Sequence, residues 1–193
     1  MPKGPHVAGL CGSLREDSKT RVALGYVLDG AEGRGATTEL IDLREFSLPV
    51  FDADHDAAGE APAMTAQVRQ ADTVVLGTPM YHGSYSSPLK TALDYCGFDE
   101  FDNTTVGLLG VSGGSFPITA LDHLRSVCRS LNAWVIPHQA AIPNVSSNVV
   151  DGRIVDESIR ARAVRLGERA VQFANLEPDP ASFESGENVG ATD

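Results

Sequence analysis

Three short stretches carry residue types suited to holding a ligand. In GSLREDSKTR, Gly12 to Arg21, the hydroxyls of Ser13, Ser18 and Thr20 lie close in sequence to the guanidinium groups of Arg15 and Arg21. A helix beginning near Ser18 would add unpaired N–H groups and the positive end of its dipole. Hydroxyls, cations and helix N–H groups together suit a terminal phosphate with three oxygens. A plainer reading has Asp17 or Ser18 capping the helix while the arginines stay solvated, and spacing alone leaves the two even. Neither G-x-G-x-x-G nor G-x-x-x-x-G-K-[ST] is formed here, so a mononucleotide fits better than a dinucleotide or a nucleoside triphosphate.

The second stretch, GTPMYHGSYSSPLKTALDY, runs from Gly77 to Tyr95. Pro79, Met80, Tyr81 and His82 precede a glycine and can present backbone N–H groups and a flat surface to a ring system. Ser87 followed by Pro88 reads as a capping hydroxyl and a first-turn proline. Taken singly, Tyr81 and Tyr85 are packing residues and His82 a surface histidine; His82 is the one candidate for tuning proton delivery in catalysis. The third stretch is GVSGGSFP, Gly110 to Pro117, where Ser112, Gly113 and Gly114 let the backbone approach a ligand closely. It would otherwise be a glycine-rich connection. No second histidine or carboxylate stands at ligand spacing, and the acidic DADHD cluster within Ser47–Asp56 reads as a solvated face, so no metal site is expected.

Positioning these loops falls to apolar runs that alternate with helix-period segments. HVAGLCG, TTELIDL, DTVVLGTP, TVGLLGVS and AWVIPHQA are short and bounded by glycine, proline or polar clusters, as strands buried on both faces of a parallel sheet read. Leu24, Val27, Leu28 and Ala31 form one helical stripe, and Leu89, Ala92, Leu93 and Cys96 a second. Leu121, Leu124, Cys128 and Leu131 form a third, and Ile159, Ala163, Leu166, Ala170 and Phe173 a fourth. Met64 and Val68 mark a weaker helix over Ala61–Gln70. The expected fold is α/β: a doubly wound three-layer sandwich around a five-stranded parallel sheet of order 2-1-3-4-5. Ligands of such sheets sit beyond the carboxyl ends of the strands, where all three loops would emerge. Residues 1–176 are expected to form one domain, and the acidic segment 177–193 to be a disordered tail.

Composition narrows the function further. A net charge of -11 on 193 residues argues against nucleic acid and anionic membrane as partners. No apolar run reaches the roughly 18 residues of a membrane span, and the amino-terminal residues do not read as a signal peptide, so a cytoplasmic location is expected. Cys11, Cys96 and Cys128 are odd in number and read as reduced, buried thiols. With lysine only at positions 3, 19 and 90 against abundant aspartate, the composition suits a salt-loving source.

Taken in order, GSLREDSKTR, PMYHGSYSSPLKTALDY and GVSGGSF resemble the three flavin-binding loops of the NADPH-dependent FMN reductase family, flavodoxin-like proteins that include flavin, quinone, azo and chromate reductases. The resemblance spans roughly Val7 to Val135. It implies that Ser13, Arg15, Ser18 and Thr20 bind the FMN phosphate, that Pro79, Met80, Tyr81 and His82 follow the isoalloxazine edge, and that Ser112, Gly113 and Gly114 lie at the pyrimidine side. It further implies NADPH or NADH as hydride donor, a flavin, quinone or similar small-molecule acceptor, and a homodimer or homotetramer to which Ser47–Asp56 contributes. The alternative is a flavodoxin-like electron carrier that binds FMN without oxidising NAD(P)H. Three positions depart from the family pattern: His82 and Thr20 stand where many members carry asparagine, and Pro117 follows GVSGGSF where a glycine is common.

Overall fold

Strand and helix segments alternate through the computed structural model, which describes residues 4–102 and 104–174; the acidic segment 177–193 lies outside the described residues. The elements are β1 (His6–Cys11), α1 (Lys19–Glu32), β2 (Thr37–Asp42), α2 (Ala61–Arg69), β3 (Thr73–Pro79), α3 (Ser87–Asp94) and the short α4 (Phe98–Phe101). After them come β4 (Thr105–Val111), α5 (Ile118–Ser130), β5 (Trp134–Ile142), α6 (Val145–Asn148), β6 (Val149–Val150), β7 (Arg153–Ile154) and α7 (Glu157–Gln172). β1 to β5 form one parallel sheet of order β2-β1-β3-β4-β5, the expected flavodoxin-like arrangement.

Every residue of β3 and β4 is buried, because helices cover both faces of the sheet and no position can face water. On one face Leu10, Leu76 and Leu108 pack with Met64 of α2, Leu89 of α3 and Leu121 and Leu124 of α5. On the other, Val7, Val75 and Leu109 pack with Leu24 and Val27 of α1 and Leu166 of α7. Helices α1 and α7 approach through glycines. A Cβ at Gly167 would lie 1.8 Å from the carbonyl oxygen of Val27, and one at Gly30 would lie 2.2 Å from that of Val164.

The free edge of β5 carries a bulge. Its pairing with β4 jumps from Val106↔Val135 to Leu108↔Gln139, which takes Ile136, Pro137 and His138 out of the ladder. Pro137, lacking an N–H, is tolerated there and blunts the edge against pairing with another strand. β5 also runs two residues beyond the AWVIPHQA segment, to Ile142, and is followed by the β6–β7 hairpin, for which no sequence expectation stood. Asp151 and Gly152, with φ of 47° and 72°, make the turn of that hairpin. The cap of α3 is displaced by one residue from the expectation: Ser86 is the N-cap, while Ser87 and Pro88 open the helix. Cys11, Cys96 and Cys128 are free and buried, and burial pushes the Cys128 thiol up to about 12. No helix among the described residues is long and apolar enough to cross a membrane.

The glycine contact gives a paired test. Gly167→Ala forces α7 away from α1 and is expected to cost roughly 2–3 kcal/mol. Gly25→Ala, within α1 and with nothing inside 4 Å of its added Cβ, is expected to gain about 0.5–1 kcal/mol. Urea unfolding of both variants checks the opposite signs.

Candidate functional site

The loops after β1, β3 and β4 emerge side by side at the carboxyl edge of the sheet, since those three strands are neighbours in its order. Loop one turns sharply at Gly12, whose N–H donates to the Gly77 carbonyl at 2.8 Å. A Cβ at Gly12 would meet Leu89 Cβ at 2.8 Å and Ser86 Oγ at 2.9 Å, so only glycine fits. Ser86 Oγ donates to the Gly12 carbonyl at 2.6 Å, and the Ser86 N–H donates to Thr78 Oγ1 at 3.0 Å. The start of α3 thereby ties the first loop to the second.

Within loop one, Ser13, Ser18 and Thr20 are nearly buried while Arg15 is exposed. Ser18 is the N-cap of α1 and its Oγ accepts from the Arg21 N–H at 3.1 Å; Ser13 Oγ accepts from the Arg15 N–H at 3.4 Å. The Ser13 hydroxyl remains free to donate, while Ser18 Oγ also lies 3.9 Å from Cys11 Sγ, a contact in which either atom can be the donor. The Thr20 hydroxyl makes no hydrogen bond among the described residues, yet no wholly buried side-chain oxygen lacks a partner, so this hydroxyl opens toward the loop surface. The N–H groups of Leu14, Ser18, Lys19 and Thr20 likewise find no backbone acceptor among the described residues, while that of Ser13 is directed at the buried Cys11 thiol. Capping by Ser18 and an array of donors for an anion therefore coexist.

Arg21 has a different use from Arg15. Its Nη2 donates to the carbonyls of Arg15 at 3.1 Å and Glu16 at 2.6 Å, and its Nε lies 3.3 Å from the buried carboxylate of Asp42. It braces the loop from behind, leaving Arg15 and Lys19 as the cations of this segment that make no ion pair among the described residues. Asp42 was not among the sequence candidates. Its signal was its place at the carboxyl end of the strand next to β1, where a carboxylate must meet the first loop.

Loop two is a tight turn. Tyr81 and Ser84 exchange backbone hydrogen bonds of 3.0 and 3.1 Å, with His82 at φ 50° and Gly83 at φ 80° between them. Two successive positive φ values define a type I′ turn, which favours asparagine followed by glycine. Histidine also tolerates this conformation better than most residues, which accounts physically for His82 being accommodated at the first position of the turn. From α5, His123 Nδ1 lies 2.9 Å from Ser84 Oγ and Thr119 Oγ1 donates to Met80 Sδ at 3.6 Å. The N–H groups of Met80 and Tyr81 are already committed, the first to the Val111 carbonyl at 2.7 Å. At the tip of the turn, His82 and Gly83 carry donors without an acceptor among the described residues, one step beyond the expected Met80–His82 set.

Loop three is held from below. The Ser112 N–H donates to the Ile142 carbonyl at 2.9 Å, and its hydroxyl donates to the carbonyls of Gly114, at 3.3 Å, and Ser115, so that hydroxyl folds the loop. The Asn144 N–H donates to the Gly114 carbonyl at 2.7 Å from a left-handed residue with φ 45°, a support that sequence reasoning missed. Gly113 and Gly114 are exposed, their N–H groups have no acceptor among the described residues, and a Cβ on either would meet nothing within 4 Å. There is open space above this backbone. Pro117 precedes α5, which starts at Ile118.

A model of the NADPH-dependent FMN reductase family matches residues 5–147. The chain belongs to that family. FMN-dependent NADPH-azoreductases of Staphylococcus saprophyticus and Staphylococcus aureus are 31% and 32% identical to it, each over 88% of this chain and 95% of the relative. Among solved structures, the flavoenzyme NAD(P)H:(acceptor) oxidoreductase FerB of Paracoccus denitrificans superposes with a TM-score of 0.73 at 21% identity, covering 88% of this chain and 97% of that one. An NADH:FMN oxidoreductase in its apo form reaches 0.73 at 18% identity, over 90% and 92% of the two chains. This FMN reductase family member is an oxidoreductase that uses FMN and NADPH and passes reducing equivalents to a small-molecule acceptor. The donors of loop one, the cradle at Gly12 and the open backbone of loop three fit such a cofactor.

The turn geometry is testable without any ligand. His82→Asn should leave thermal stability unchanged or slightly raised, whereas His82→Val, β-branched at positive φ, should cost about 1–2 kcal/mol. Thermal unfolding of the two variants compares them directly.

Proposed function

We propose that Ser13, Arg15, Ser18 and Thr20 bind the FMN phosphate. Pro79, Met80, Tyr81 and His82 follow the ring edge, and Ser112, Gly113 and Gly114 lie beside its pyrimidine. The observation that carries this reading is the concentration of unpaired N–H groups, free hydroxyls and an uncommitted arginine on one edge of the sheet, within loops that are otherwise fully braced. Each loop has a separate part. The first turn of α1 and Arg15 offset the two negative charges of the phosphate. The N–H groups of Gly113 and Gly114 point donors at the edge where a reduced ring accumulates negative charge. The N–H groups of His82 and Gly83 reach the opposite edge, and His82, exposed, tunes proton delivery there without being essential.

FMN, when bound, supplies the hydride and electron chemistry, so the protein needs no acid–base triad. NADPH and the acceptor occupy the open side in turn, giving alternating two-step turnover. Flavins, quinones and azo compounds are the proposed acceptors, the last supported by the names of the staphylococcal relatives. A homodimer is the proposed assembly. Val50, 86% exposed, and Leu14, 53% exposed, flank an apolar groove of about 310 Å³ against Phe46, Leu48 and Pro88, and a second copy would cover it. A monomer by light scattering at micromolar concentration would remove that part of the proposal. The cytoplasm, where free thiols persist, is the proposed setting.

The deciding experiment is uptake of FMN followed by anaerobic addition of NADPH. Stoichiometric yellow protein that bleaches rapidly is expected, and Arg15→Ala should weaken FMN binding about tenfold, in line with loss of one charge-assisted contact. Failure of the wild type to take up FMN, or failure of NADPH to bleach it, contradicts the reading.

A further inference from the structure

Two cavities flank the second half of α7, on the side of the sheet remote from the three loops. One, about 370 Å³, lies over the bulge at Pro137 and His138 of β5 and is lined by Arg162, Arg165 and Arg169. The other, about 500 Å³, is lined by Arg34, just past the end of α1, and by Arg165, Glu168 and Arg169. Four of the chain's 12 arginines thus gather round one carboxylate, in a chain whose net charge is -11. Such a local reversal of sign draws acidic groups to one place on a surface that otherwise repels them.

The arginines are held in place and only partly neutralised. Arg162 Nε donates to the Gln139 carbonyl at 2.9 Å, which orients the guanidinium and leaves its terminal nitrogens outward. Glu168 is shared, 2.6 Å from Arg165 and 3.5 Å from Arg34. Arg169 donates to Gln172 Oε1 at 2.5 Å and lies over the ring of Phe173, 5.8 Å from its centre. Neither Arg162 nor Arg169 pairs with a carboxylate among the described residues.

The end of α7 is tied to the amino edge of the sheet. Thr73 Oγ1 donates to the Ala170 carbonyl at 3.1 Å, and Thr105 Oγ1 donates to the Phe173 carbonyl at 2.6 Å. The chain therefore leaves Ala174 beside both cavities. The segment 177–193 that follows carries Glu177, Asp179, Glu184, Glu187 and Asp193, with no lysine or arginine. A stretch so poor in bulky apolar residues cannot bury enough surface to fold alone, yet opposite charge can still hold it. Pro178 and Pro180 each restrict the acidic residue before them to extended backbone. At about 3.1 Å per residue Glu177 and Asp179 then stand roughly 6 Å apart. Arg165 and Arg169, i,i+4 neighbours on one helix face, are spaced by about the same distance.

We infer that the acidic segment after α7 doubles back and docks on this arginine face, with Glu177 opposite Arg169, Asp179 opposite Arg165 and the later carboxylates toward Arg162. The reach is sufficient. Arg165 lies about 14 Å of helix behind Ala174, and an extended chain from Ala174 to Asp179 covers up to about 17 Å. The docked segment neutralises the cluster and lays negative charge along the free edge of β5, where the bulge at Pro137 already discourages pairing with another strand. This inference is independent of where the flavin binds.

The full chain carries the test. Cys11, Cys96 and Cys128 are buried, so in Ser182→Cys the introduced thiol is the one that takes a nitroxide spin label. At low salt, paramagnetic relaxation of backbone amides is expected to be strongest at His138, Gln139 and along Arg162–Arg169. Adding Glu177→Gln and Asp179→Asn, which alter only the acidic segment, should cut that relaxation about threefold or more, as removal of two exposed ion pairs would. Arg165→Gln with Arg169→Gln, or about 1 M sodium chloride, should do the same. Arg160→Gln makes an equal charge change on the far side of α7, where Arg160 lies 3.9 Å from Glu157, and should leave the pattern unaltered. Relaxation spread evenly around the end of α7, or undiminished in either charge-removed protein, overturns the inference. Relaxation passed from spin-labelled molecules to unmodified ones mixed with them would give the groove to the segment of a second copy, and overturns it as well.

Discussion

The contact between Gly12 and Ser86 sets the form of the site. At the end of β1 the chain must turn within reach of α3, and the space between Leu89, Ser86 and the Gly77 carbonyl admits a bare Cα and nothing larger. The buried hydrogen bond from Ser86 Oγ to the Gly12 carbonyl contributes about 1 kcal/mol net. Its larger effect is geometric. Ser86 also reaches Thr78 in β3, so one residue fixes where two loops stand relative to each other before any ligand arrives. Such preorganisation lowers the ordering cost of binding.

Electrostatics divide along similar lines. The chain is acidic overall, and a phosphate approaching it meets repulsion except where donors are gathered. Arg21 looks from its position like a ligand for that phosphate, but the carboxylate of Asp42 and two carbonyls hold it behind the loop. Asp42 is itself buried, so removing Arg21 would leave an uncompensated charge, a more costly change than losing a surface pair. The bracing cation and the binding cation are therefore different residues within one loop, and Arg15 is the one left facing solvent.

Much of this was legible in the sequence because the signals were long or repeated. β3 and β4 read as continuous apolar runs, and the stripes of α1, α5 and α7 recur over two or more turns, so the sheet order followed from the alternation. Three loops of unusual composition at the same edge pointed to the site. What escaped was short or depended on neighbours distant in sequence. Strands β6 and β7 hold two residues each, too few for any period to show. The bulge at Pro137 exists only relative to its partner strand. Ser86 and Ser87 both precede Pro88, and the choice between them as cap was made by the carbonyl of Gly12, far away in the chain. The backbone donors of Met80 and Tyr81 were spent on hydrogen bonds that only the folded turn reveals. Asn144 supports loop three from a left-handed conformation that its Pro-Asn context alone does not specify.

The most direct measurement of the central claim is the FMN dissociation constant of Gly12→Ala, followed by flavin fluorescence quenching, with far-UV circular dichroism as the check on folding. The account predicts a folded protein whose affinity for FMN falls by roughly 100-fold, about 2.7 kcal/mol, because the added methyl separates loop one from Ser86. A folded Gly12→Ala protein that binds FMN as tightly as the wild type would contradict it.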